Sequence, residues 1–241
     1  DLADNQCLET LIFGSRQITG LQLNRIGVVG FDCICHGLQR NRSLLSLVVP
    51  GNSLGSEAGR IFSDLLTHNS TLTSVDLSFN PLGSQGVAYF LPLASKLTSL
   101  DLTQTRCDGA QIYLGFPGLF SPMGKLTHLT FARNKFNGRS MTRMASYFQD
   151  SKLKSLDLSG VEMCKEGVEA LAAGVQASNI RVLNLAKCTI QSEDCVRNLA
   201  MMIQGSACLQ QVNLAKNNLA DFVYLIAEVL TPSEAPAPPL V

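Results

Sequence analysis

The sequence predicts an α/β solenoid, a curved horseshoe with parallel strands inside and helices outside. Three observations predict it. An eleven-residue apolar pattern recurs along the chain, the recurrences fall 25 to 36 residues apart, and most are followed by an amphipathic stretch of helical period.

The clearest copy is LTSVDLSFNPL, Leu72 to Leu82. Leu72, Val75, Leu77 and Leu82 face a core, while Ser74, Asp76 and Ser78 alternate outward along a short strand. Asn80 turns the chain, and its amide can bond backbone groups that the turn leaves unpaired. Further copies begin at Leu8, Leu44, Leu97, Leu126, Leu153, Ile180 and Leu209, making eight at successive offsets of 36, 28, 25, 29, 27, 27 and 29 residues. One repeat cannot bury its own apolar face, so stacking is obligatory. The expected architecture is therefore a leucine-rich repeat solenoid occupying residues 1–230, followed by a Pro/Ala-rich tail or linker over 231–241.

Taken in order, residues 1–5 resemble the helix ends that precede the other strands, which predicts that the array extends before Asp1. The first repeat carries about eight extra residues around Gln17 to Arg25, expected as an outward loop or additional turn. IGVVGFDCICHGLQRN then reads as a packed helix on the convex side. The next two repeats predict helices over SEAGRIFSDLLTHN and SQGVAYFLPLAS, with Ser56 and Ser84 as N-caps and Asn69 as a C-cap. Gly115, Pro117, Gly118 and Pro122 interrupt residues 97–125, so a short helix and a loop are expected there. Helices are expected near 139–149, 165–177 and 191–204, and a last apolar helix over ADFVYLIAEVL. Repeats near 28 residues with a full helix resemble the ribonuclease-inhibitor class.

Composition suits such a core, with 46% hydrophobic residues but only 6% aromatic ones. Nineteen basic and nineteen acidic residues leave no global field to recruit nucleic acid or an anionic membrane, so any recognition must be local. Apolar runs fall short of the roughly 20 residues a membrane span needs. The eight cysteines lack the clustering of secreted repeat caps, which favours a reducing compartment and makes the triplets at Asn41 and Asn69 chance matches to a glycosylation signal. Cys33, Cys35 and His36 have poor chelating spacing, and Cys107 and Cys188 occupy slots that suit small buried thiols.

The residues between the two core positions of each strand form a ladder on the inner curve: Ile12, Val48, Asp76, Asp101, Thr130, Asp157, Asn184 and Asn213. A second row, Pro50, Ser78, Thr103, Ala132, Ser159, Ala186 and Ala215, is small enough for close approach. Strand ends become basic toward the C-terminus. The expected partner contacts are Asp76, Asp101, His128, Arg133, Asp157, Arg181, Lys187 and Lys216, and reversal of the three aspartates is expected to weaken a partner while sparing the fold. No phosphate loop, nucleophile–base pair or metal cluster is present in the pattern, so no catalytic residue, metal ligand or cofactor is assigned and the chain is read as a non-enzyme.

From Thr71 to Ile190 the succession NPLGSQGV, LTSLDLTQT, LTHLTFARNKF, MTRMASYFQDSKLKSLDLSG and IRVLNLAKCTI is similar in order and spacing to the repeat region of CARMIL proteins. The resemblance implies a cytosolic scaffold of the actin cytoskeleton, working at membranes and linking capping protein, the branching complex and myosin I. It also implies a homodimer formed through regions outside residues 1–241, with no membrane insertion by the repeats themselves. Two rival readings are the ligand-sensing repeats of an NLR-type immune receptor and a GTPase activator of the RanGAP type.

Overall fold

In the computed structural model, residues 2–14, 24–219 and 221–231 are described. The sheet follows from the alternation above. Eight short strands, β1 Thr10–Ile12, β2 Ser46–Val48, β3 Ser74–Asp76, β4 Ser99–Asp101, β5 His128–Thr130, β6 Ser155–Asp157, β7 Val182–Asn184 and β8 Gln211–Asn213, pair in parallel and in chain order in one open sheet. Register is strict. Val75 faces Leu100, and Asp76 faces both Val48 and Asp101.

The opposite layer holds helices α1 Gly27–Arg40, α2 Ser56–His68, α3 Gly83–Phe90, α4 Gly109–Ile112, α5 Phe116–Leu119, α6 Gly138–Ala145, α7 Lys165–Gln176, α8 Glu193–Gly205 and α9 Val223–Leu230. Strands repeat about every 4.8 Å and packed helices about every 8–10 Å, so a stack of such units bends with its strands on the inner side. Between the layers run continuous ladders: Leu47, Val75, Leu100, Leu129, Leu156 and Leu183 are buried, as are Val49, Leu77, Leu102, Phe131, Leu158 and Leu185. Residue 97–125 is built as expected from short pieces, α4 and α5 of four residues each joined by a 3₁₀ turn.

Asparagines tie neighbouring repeats together. Asn80 donates to the Val49 and Leu77 carbonyls at 2.8 and 3.0 Å and accepts the Asn52 and Leu54 amides at 2.8 and 3.1 Å. Asn134 and Asn217 reach back the same way, to Leu102 and Leu185. A second set sits before the strands, where Asn5, Asn41 and Asn69 each accept the amides two and three residues on. Asn41 and Asn69 are buried with both amide atoms engaged, so neither presents a glycosylation acceptor in the fold.

Several local expectations are corrected. Ser56 and Ser84 are not side-chain caps: α2 begins at Ser56 after Gly55, and α3 begins one residue before Ser84 after Leu82, neither with a capping bond. The Ser84 hydroxyl instead accepts the Asp108 amide at 2.9 Å, linking repeats rather than starting a helix. Side-chain caps occur at Asp108, Asn137 and Ser192. Asn69 does end α2, donating its backbone N–H to Leu65. The extra segment around Gln17 to Arg25 lies almost wholly outside the described residues, as does the 231–241 tail.

Candidate functional site

Parallel register places Ile12, Val48, Asp76, Asp101, Thr130, Asp157, Asn184 and Asn213 side by side on one face of the sheet. The inner row expected from the sequence is therefore a physical row. Its members differ in what they offer.

Asp76 and Asp101 are only 6% and 7% exposed. Each carboxylate accepts the amide two residues on, from Ser78 at 2.9 Å and Thr103 at 2.8 Å. Asp157 repeats that bond with Ser159 at 2.8 Å, and its second oxygen accepts from Asn184 Nδ2 at 2.9 Å. Asn184 and Asn213 cap the amides of Ala186 and Ala215 in the same manner. The acidic centre is thus first a turn-closing device, for which Asp and Asn are equivalent.

The cations are placed differently. Lys154 and Arg181 are exposed just before β6 and β7, and Arg133, Lys187 and Lys216 are exposed just after β5, β7 and β8. The backbone joins them across repeats, Arg181 N–H to the Lys154 carbonyl at 2.8 Å and Lys187 N–H to the Ala215 carbonyl at 2.9 Å. Among the described residues none of these five forms an ion pair, whereas Arg60, Lys135, Lys165 and Arg197 do. Arg133 makes only a long contact, 3.4 Å, to Gln104 Oε1. His128 is exposed on β5 with Nδ1 2.8 Å from the Thr127 hydroxyl.

Arg133, Lys187 and Lys216 also share a backbone slot with positive φ, 56°, 59° and 60°. The equivalent slot is Phe79 and Gln104, φ 58° and 53°, in two other repeats and glycine at Gly51 and Gly160. A non-glycine residue there costs on the order of 1 kcal/mol. Beside Arg133, the loops after β4 to β7 frame an open depression of about 1070 Å³ lined by Arg106, Lys135, Asn137 and Glu162 among others. Arg106 and Lys135 were not singled out from sequence, because nothing in the repeat pattern marks them.

One feature missed by the sequence reading has a visible signal. The recurring LTS, LTS and LTH place Thr73, Thr98 and Thr127 in one column, and each hydroxyl donates to the carbonyl of the preceding repeat at 3.1, 2.9 and 3.0 Å. The thiols of Cys107 and Cys188 are buried as expected, and burial pushes them up to about 12 and about 11. Cys35 is also buried while its neighbours Cys33 and His36 are exposed, so the three do not share one face of α1.

The family profile described as Leucine Rich repeat matches residues 68–91, the α2–β3–α3 region. The chain is a leucine-rich repeat solenoid. Mouse NACHT, LRR and PYD domains-containing protein 12 is 29% identical over 222 residues, 90% of this chain and 19% of that protein. Mouse ribonuclease inhibitor is 26% identical over 219 residues, 88% and 42% of the two chains. Mouse capping protein, Arp2/3 and myosin-I linker protein 2 is 29% identical over 213 residues, 78% and 16%. The resemblance to ribonuclease-inhibitor-type repeats and to CARMIL proteins is thus met among the relatives. The chain spans less than half the length of each of these three.

Proposed function

We propose that this solenoid is a non-catalytic protein-docking module of an actin-cytoskeleton scaffold, binding its partner on the inner face. The observation that supports the docking role most directly is the row of exposed, unpaired cations beside small residues on the C-terminal half of that face. Among the described residues none of them is in an ion pair, and only Arg133 touches its neighbours, at Gln104 and Gly160. The cytoskeletal setting draws on the name of the mouse relative, a linker of capping protein, Arp2/3 and myosin-I. Cytoplasmic placement follows from that setting, and no described helix is long and apolar enough to cross a membrane. A homodimer would form through regions outside residues 1–241.

A second reading, the ligand-sensing repeats of an immune receptor, is favoured by the relative with NACHT and PYD domains, which aligns over more of the chain at equal identity. Immobilising residues 1–241 and presenting purified capping protein, Arp2/3 complex and myosin I in turn separates the two. Saturable binding to any one supports the scaffold. Absence of binding to all three removes the cytoskeletal reading and leaves the receptor reading.

A further inference from the structure

We infer that the C-terminal half of the inner face is a docking surface for an acidic polypeptide segment. The inference rests on the reading of the chain as a protein-docking module and names its partner's chemistry. It departs from the sequence expectation, in which Asp76, Asp101 and Asp157 were contacts. Those carboxylates are committed to their own turns, and the groups left over are positive.

Two rails carry the charge. Lys154 and Arg181 line the side where strands begin, and Arg133, Lys187 and Lys216 line the side where they end. Neighbouring repeats bring like charges within about 5 Å of backbone spacing. From Arg181 to Lys187 the chain advances six residues, so the rails stand at most about 20 Å apart. Between them lie Ser159, Ala186 and Ala215, small enough to admit a peptide about 10 Å across. The only acid on that floor, Asp157, has both oxygens occupied. Like charges without counterions repel, and a protein of zero net charge has no general need of them.

Three rail residues hold a left-handed slot that Phe79 and Gln104 also occupy and that glycine fills at Gly51 and Gly160. Glycine would relieve strain at Arg133, Lys187 and Lys216, so the three side chains can be removed there without loss of the slot itself. Arg133 also borders the depression lined by Arg106, Lys135, Asp108 and Glu162, where Lys135 is paired with Asp108 at 3.6 Å, so the cationic surface stays confined to the sheet. A polypeptide is favoured over RNA because the floor rows of β6 to β8 contain no aromatic side chain on which bases could stack.

The test measures binding of fluorescently labelled poly-L-glutamate to the full chain by anisotropy, at low and at physiological salt, with poly(U) as the competing polyanion. Two variants are compared: Arg133→Gly/Lys187→Gly/Lys216→Gly, and Lys154→Gln/Arg181→Gln. Expected are salt-sensitive binding by the parent chain, a loss of about ten-fold or more in each variant, and a thermal midpoint in the glycine variant equal to or above the parent's. The proposal is overturned by no poly-glutamate binding, by binding in either variant equal to the parent's, or by tighter binding of poly(U). Binding of a cytoskeletal protein without binding of poly-glutamate would retain the docking module and discard its acidic partner.

Discussion

Single side chains on the inner face divide into those that close turns and those that are left over. Asp157 shows the first kind: one oxygen accepts the Ser159 amide and the other the Asn184 side chain. Asp157→Ala should cost about 1–2 kcal/mol in urea unfolding, and Asp157→Asn about half a kcal/mol or less, because an amide oxygen can still take the backbone bond. Equal stability of the alanine variant and the parent would remove the turn role. Reversing Asp76, Asp101 and Asp157 together to lysine should therefore lower stability, contrary to what exposed contact groups would do. The row itself was legible, since a period of two assigns faces without ambiguity. The role was not, because an Asp two residues before a turn amide looks in sequence like any surface acid.

At the level of elements, strand positions were readable to the residue, while the caps assigned to the starts of α2 and α3 were not. A strand is pinned by ladder register, so every apolar position is a constraint, whereas α2 and α3 start by backbone geometry at Gly55 and Leu82 with no side chain to announce it. What joins these two helices was equally silent. Gly59 of α2 lies against the Gly86 carbonyl of α3, and a methyl group there would collide with backbone. Backbone cannot step aside as a flexible side chain can. Gly59→Ala should lower stability by about 1–3 kcal/mol, despite alanine's better helix propensity of about 1 kcal/mol. A stability gain on thermal unfolding would show that the two helices separate freely. The same substitution at Gly55, where nothing lies within 4 Å of the added carbon, is the matched control.

The whole molecule is a chain of neighbours, so its weakest junction decides how it unfolds. Regular repeats join through long helices: α2 against α3, with Phe62 and Phe90 edge-on at 5.0 Å, and α6 through α9 in succession. Residues 97–125 offer only the short α4 and α5. There the continuity passes through rings, Phe116 to Phe120 at 6.1 Å and Phe120 to Phe148 at 5.4 Å, the last belonging to the following repeat. Phe120 is 3% exposed, so its removal leaves a cavity that short helices cannot close by shifting together. Phe120→Ala should cost about 3–5 kcal/mol. The loss falls at one junction, while the sheet pairings on either side remain. Urea unfolding of the variant, followed by hydrogen exchange, should therefore split into separate transitions for residues before 97 and after 125, where the parent shows one. A single transition shifted equally across all repeats would mean that the strand layer, not the phenylalanine relay, couples the two halves.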